Sequence, residues 1–415
     1  MITGLTCSCG TIAGADDWAC PRRDDDDGDH VLGLPLPEWS VDTSSCQPFV
    51  RYRRMLRSWA EAGEDSWFVD TVSRLDAAVA GVDGHGFEVT PCAEFSINYP
   101  VTGSTGAGDT SRRITVKNET SNVSGTHKAR HTFGLMLHLL VRERRGGWGG
   151  KRSSRPRLAI ASCGNAAVAA AVVAAAERWP ITVFVPAEAE AATVARLREL
   201  DAVVEFCPRA GNGVGDPSYH KFRDAVRRGA VPFGCQGPDN GYTIDGGRTL
   251  GYELAEQAPG IDRVYIQVGG GALAASVAQG LAAAHIRAAL MAVQAEGCAP
   301  LARAWERTIE LGGLEEARRQ RPTVMWPWTP TPISAATGIL DDETYDWASV
   351  TEAMAATGGR PVVVPESLVT EVCDLARAAT GINVSPTGSA GLAGLLSDNP
   401  PTTTTPAVIF TGAQQ

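Results

Sequence analysis

The chain has 415 residues, 44% hydrophobic and 20% charged, enough apolar mass for a sizeable core and too much for a disordered chain. Its 37 basic and 47 acidic side chains leave a net charge of −10, which offers no global attraction to nucleic acid or to an anionic membrane. Ten cysteines, scattered beyond Cys20, suit a reduced enzyme acting on a small molecule better than a disulfide scaffold.

The opening MITGLTCSCG has no basic or apolar stretch of the secretory kind, and the longest apolar run, near 166–176, is too short to span a bilayer. A cytoplasmic protein with no membrane or nucleic-acid partner is expected. Residues 1–44 read as an irregular segment. Four consecutive aspartates at 24–27 read as a solvated loop. Cys7, Cys9 and Cys20 make a degenerate zinc knuckle: Cys7 and Cys9 are one residue closer than a C-x₂-C pair, and Arg23 stands where the partner of Cys20 would be. No metal site is assigned, and zinc binding with His30 as fourth ligand stays open.

From residue 110 short β-branched runs alternate with helical stretches. Strands are predicted at 114–116, 158–161, 181–185, 202–206, 263–268, 288–294, 361–364 and 407–410. Helices are predicted at 126–143, 165–178, 188–200, 246–257, 272–284, 299–311, 366–379 and 388–396. This alternation defines an α/β fold with mainly parallel sheets flanked by helices, whose ligand sites lie at the carboxyl ends of strands. The Gly-, Ser- and Arg-rich stretch 144–157 and the Pro-rich stretch 325–334 read as linkers.

Four segments carry the chemistry. In 115–131 a strand ends in an Asn-Val-Ser-Gly turn, and Thr126 can cap a helix with Lys128 in its first turn. The positive backbone potential there favours the neutral amine that a Schiff base needs, although the segment alone also suits a solvated lysine. In 161–171 the run Ser162-Cys163-Gly164-Asn165-Ala166 turns a strand into a helix, whose N–H groups can hold a carboxylate. In 267–276 Gly269, Gly270 and Gly271, followed by Ala272 and Leu273, let backbone donors approach a phosphate. This loop lacks both the G-x-G-x-x-G pattern and the Walker lysine. Near the end, Thr411 closes an apolar strand at the edge where ligands sit.

Together these segments resemble the fold-type II pyridoxal-phosphate enzymes, the tryptophan synthase β superfamily that includes threonine synthase and threonine dehydratase. Lys117, Glu119, Asn122, Gly125, Lys128 and Arg130 fall in register with that family's lysine motif, while Val123, Ser124, Thr126, His127, Ala129 and His131 depart from it. The resemblance implies two lobes: a large cofactor-binding lobe of 45–154 and 236–415, and a small substrate-side lobe of 155–235. It implies that Lys128 carries pyridoxal 5'-phosphate as a Schiff base, that Asn165, Gly269 to Leu273 and Thr411 hold the cofactor, and that Ser162 to Ala166 take the substrate carboxylate. Cys163 replaces a Ser or Thr beside the substrate, where it is either a proton-handling catalytic thiol or a small space filler. Ser385 stands where relatives often carry Glu, which puts dehydratase activity in question. The implied function is β-elimination or β-replacement on a small amino acid, in a possible homodimer. The alternatives are a catalytically silent cofactor-binding sensor and a nucleotide-binding oxidoreductase.

Overall fold

The computed structural model describes residues 4–14, 17–99, 111–209 and 215–414. The chain forms two compact units. The first comprises Met1–Asp26, His30–Val89 and Asn122–Thr249; the second comprises Asp27–Asp29, Thr90–Ser121 and Leu250–Gln415.

In the first unit four parallel strands stand in the order Val203–Cys207, Ile181–Pro186, Leu158–Ala161, Val231–Pro232. The helix Asn165–Ala176 follows the strand Leu158–Ala161 and is buried from Ala166 to Ala174 without a break. Its alanine-rich sequence has no polar face, so it must be covered all round, and it lies in this unit's main core. The helix Lys128–Arg144 packs against it. Residues 155–235 thus share a unit with further helices, among them Asp65–Asp83. That helix buries Phe68, Val72, Leu75 and Val79, one stripe at helical spacing.

In the second unit six strands stand in the order Arg360–Val364, Ala289–Ala295, Arg263–Gln267, Pro406–Phe410, Ser111–Asn118, Cys92–Asn98. All neighbours run parallel except the last pair, which is antiparallel. The central strands read as continuous apolar runs because helices cover them: Pro406–Phe410 is buried at every position. The helix Pro386–Asp398 packs on this sheet, and Ser385 caps it by accepting from the Gly388 N–H at 3.0 Å. The eight strands and eight helices predicted beyond residue 110 are all present, with ends within three residues of the prediction.

A third, two-stranded antiparallel sheet pairs Thr6–Cys7 with Leu32–Gly33 inside the N-terminal segment that sequence alone reads as irregular. No helix among the described residues is long and apolar enough to cross a membrane.

Candidate active site

The first unit presents Lys128 and the Ser162–Ala166 turn. Ahead of Lys128 the backbone makes a tight turn in which Ser124 (φ 59°) and Gly125 (φ 64°) are both left-handed. Asn122 Oδ1 accepts from the Val123 N–H at 2.8 Å and Asp83 Oδ2 from the Ser124 N–H at 2.7 Å, so side chains hold the turn. Lys128 is then the first residue of its helix, half-buried, and its N–H reaches Thr126 Oγ1 at 3.4 Å. Arg130 is fully buried and donates to Thr249 Oγ1 at 3.1 Å, and His131 Nδ1 lies 2.9 Å from the Thr243 carbonyl.

The Ser162–Ala166 turn leaves the carboxyl end of Leu158–Ala161 and enters the helix Asn165–Ala176. Ser162 Oγ accepts from the Gly164 N–H at 3.4 Å, and a Cβ on Gly164 would meet nothing within 4 Å. Cys163 is exposed. The first turn of any helix offers N–H groups with no partner in the helix, which suits a carboxylate. The turn at Val123–Gly125, which precedes Lys128, packs on the helix that the Ser162–Ala166 turn enters. A cavity of about 440 Å³ elsewhere in this unit includes neither Lys128 nor the Ser162–Ala166 turn; Arg74, Arg152 and Arg155 in its lining are paired with Glu143 or Glu177.

The second unit presents the glycine loop and Thr411. Arg263–Gln267 and Pro406–Phe410 are parallel neighbours, so Gly269–Gly271 and Thr411 emerge at the same sheet edge. Gly271 has φ +99°, a conformation that favours glycine, and it caps the helix Ala272–Ala283. The loop is crowded on its far side: a Cβ on Gly270 would stand 3.2 Å from the Tyr345 ring, and one on Gly269 would meet the Asp341 carboxylate. Gly270 also faces the Asp341 carboxylate, so the donors that suit an anion are the N–H groups at the N-terminus of the helix Ala272–Ala283. Phosphate fits that donor set.

Gln267 is the residue sequence reasoning missed. Its Nε2 donates among Thr411 Oγ1 at 2.8 Å, the Gly388 carbonyl at 2.8 Å and the Thr387 carbonyl at 2.9 Å. A side-chain amide nitrogen cannot accept, so the Thr411 hydroxyl oxygen is the acceptor in this pair. The available signal was a polar residue inside the apolar strand Arg263–Gln267, two positions before the glycines.

Lys117 also has a settled place. It is fully buried, and its Nζ donates to Glu253 Oε2 at 2.6 Å, to Gln257 Oε1 at 2.7 Å and to the Thr90 carbonyl at 2.7 Å. An ammonium has three hydrogens, and all three are used. Thr90 Oγ1 lies 2.5 Å from Glu119 Oε1, so both motif residues, Lys117 and Glu119, belong to one buried network.

The family model described as pyridoxal-phosphate dependent enzyme matches residues 98–412, and the chain belongs to this family, with the fold-type II architecture. The family's cofactor is pyridoxal phosphate. Among curated relatives, phenylserine dehydratase of Ralstonia pickettii is 32% identical over 202 residues, 48% of this chain and 55% of its own length. L-threonine ammonia-lyase of Thermotoga maritima is 28% identical over 191 residues, 45% of this chain and 43% of its own length. The chain thus spans about half the length of the curated relatives it matches. Maize serine racemase is similar in structure with a TM-score of 0.60 at 19% identity, covering 83% of this chain and 93% of its own. Threonine deaminase isoform 2 from Solanum lycopersicum has a TM-score of 0.60 at 16% identity, covering 85% and 86%.

Proposed function

We propose that the protein is a pyridoxal-phosphate-dependent lyase that eliminates the β-substituent of a small hydroxyamino acid, with Lys128 as the lysine that carries the cofactor. The observation that carries this reading is the disposition of the lysines. The chain has four: Lys117, Lys128, Lys151 and Lys221. Lys117 is consumed by its buried network, Lys151 is exposed in the Gly-rich connection, and Lys221 is exposed beside Glu205. Lys128 alone opens a helix behind a held turn. The names of the two curated relatives, a dehydratase and an ammonia-lyase, support elimination over replacement.

When bound, pyridoxal phosphate supplies an electron sink for the α-carbon of an attached amino acid. The chain's own residues do the rest. The helix N-terminus at Asn165 and the N–H groups of Ser162 to Ala166 orient the substrate carboxylate, the N–H groups that open the helix Ala272–Ala283 hold the phosphate, and Lys128 Nζ accepts the α-proton. Thr411, accepting from Gln267, would offer the cofactor's ring nitrogen a neutral hydroxyl rather than a carboxylate, which would not hold that nitrogen protonated. The exposed Cys163 thiol hands a proton to the departing hydroxyl.

Borohydride reduction followed by peptide mapping should place the cofactor on Lys128; label on Lys117, Lys151 or Lys221 refutes the assignment. Phenylserine, threonine and serine should be screened for release of a 2-oxo acid and ammonia, and release from none of them refutes the lyase reading. Cys163→Ala should keep the cofactor and lose about 10²- to 10⁴-fold in turnover, the range for a general acid. Unchanged turnover would make Cys163 a space filler. The same reading carries a homodimer, which a light-scattering mass tests.

A further inference from the structure

The N-terminal segment gathers four metal-ligating side chains. Sγ of Cys7, Cys9 and Cys20 and one ring nitrogen of His30 all lie within 4.8 Å of one another. Cys7, Cys20 and His30 are buried. We propose that Cys7, Cys9, Cys20 and His30 form a closed, structural zinc site that ties the Cys7–Gly10 turn to Cys20 and His30.

Three of the spacings between ligand atoms match the edges of a tetrahedral zinc site, and all lie within 4.8 Å. With zinc–sulfur bonds of about 2.3 Å, zinc–nitrogen bonds of about 2.0 Å and angles near about 109°, edges of about 3.8 Å between sulfurs and about 3.5 Å from sulfur to nitrogen follow. Cys9 Sγ and Cys20 Sγ are 3.8 Å apart, Cys20 Sγ and His30 Nδ1 3.6 Å, and Cys7 Sγ and His30 Nδ1 3.8 Å. A disulfide would need about 2.05 Å between sulfurs, so the cluster is not poised as one.

The surroundings also match a metal site. His30 Nε2 lies 2.9 Å from Asp26 Oδ1. A hydrogen on Nε2, held by that carboxylate, leaves the Nδ1 lone pair facing the three sulfurs, the carboxylate–histidine–metal arrangement that fixes a ligand's tautomer. Asp26 is one of the four consecutive aspartates, so that run is more than a solvated loop. The Cys9 N–H points to Cys7 Sγ at 3.5 Å, and Gly10 takes φ +84° to close the turn. The sheet of Thr6–Cys7 with Leu32–Gly33 brings His30 back beside Cys7. Two-residue strands are too short to be stable alone, so a metal would supply much of the folding energy of the segment. The ribbon template failed on sequence because the fourth ligand is a histidine ten residues after Cys20, not a cysteine three residues after it.

Three thiolates and a neutral imidazole around Zn²⁺ give a site of net charge −1, and binding releases the thiol protons to solvent. The test uses the full untagged chain. Purified protein reconstituted with zinc and desalted should hold about one zinc per chain by elemental mass spectrometry. Cobalt titration should give thiolate charge-transfer and tetrahedral ligand-field bands that zinc abolishes. Cys9→Ser, at the exposed corner, should lose zinc without disturbing the buried residues; Asp26→Asn should weaken retention about 10- to 100-fold while leaving the stoichiometry at saturation. Absence of the cobalt bands in the wild type overturns the proposal whatever the variants do. So does a disulfide among the three cysteines, or full zinc retention in Cys9→Ser and His30→Ala alike.

Discussion

At the scale of single residues, polar groups in buried strands show most about the site. Thr411 is 2% exposed, and its hydroxyl oxygen is one of the acceptors among which the two hydrogens of the Gln267 amide are shared, the others being the carbonyls of Gly388, Thr387 and Ile409. Gln267→Leu keeps the volume and removes the donor. The carbonyls of Thr387 and Gly388 then lose a buried partner, at a cost of about 1–3 kcal/mol. The variant should unfold at lower denaturant concentration than the wild type. It should still attach the cofactor, yet turn over more slowly, because Thr411 loses that donor. A variant with wild-type stability and turnover would show that Thr411 needs no such support.

At the scale of elements, two glycines decide how closely helices approach. Gly134 and Gly246 face each other across the helices Lys128–Arg144 and Thr243–Gln257: a Cβ on Gly134 would lie 2.6 Å from Gly246 Cα, and one on Gly246 would strike the Arg130 carbonyl. These are backbone atoms and cannot yield cheaply. Gly246→Ala should therefore cost about 1–3 kcal/mol and lower the thermal midpoint. Gly81, exposed in the helix Asp65–Asp83 with open space at its Cβ position, is the control. Gly81→Ala should stabilise by about 0.5–1 kcal/mol. Equal effects at both sites would mean that the helix contact is looser than described. Most elements beyond residue 110 were legible in sequence because buried parallel strands are continuous apolar runs closed by turns; the helices Pro217–Arg227 and Trp347–Thr357 were not among those predicted. The helix Asp65–Asp83 was not read, although its apolar stripe was present, because no motif drew attention to residues 45–99. The strand Val231–Pro232 is too short to carry a pattern. Of the candidate site, the turns at strand ends were legible because Gly, Asn and Lys cluster there. The role of Gln267 depends on packing between distant segments, which periodicity does not encode; Cys7, Cys9, Cys20 and His30 were named from their ligand types, and the fold adds that they lie within 4.8 Å of one another.

At the scale of the whole molecule, the family match leaves out residues 1–97, and the helix Arg57–Ala62 within them supplies part of a buried charge cluster in the first unit. His138 is buried with its Nε2 2.9 Å from Asp245 Oδ2 and its Nδ1 3.8 Å from Glu61 Oε2, and the Tyr242 ring packs at 4.4 Å. Burial alone would lower the imidazole's pKa, but the hydrogen bond to Asp245 and the pairing with Glu61 outweigh it, and the value lies above the ordinary one. Burial likewise pushes Glu61 up, while His138 and Arg57 pull it down to about 2. The two shifts act on stability in opposite pH directions. A raised histidine stabilises fully below its unfolded value of about 6.5, and that contribution is lost as pH rises through the folded value. A depressed glutamate stabilises fully above about 4.5, and that contribution is lost as pH falls through the folded value. Both contributions are complete between about pH 4.5 and 6.5, so the cluster should stabilise most there. His138→Gln removes the charge while keeping a donor for Asp245. The gap in unfolding midpoint between wild type and His138→Gln should be widest near about pH 6 and shrink as pH rises through the folded value of His138. Comparing the two chains at each pH cancels the titration of groups far from this cluster. A gap that stays constant from about pH 6 to about pH 9 would mean that His138 is held neutral and that Asp245 and Glu61 balance their charge elsewhere.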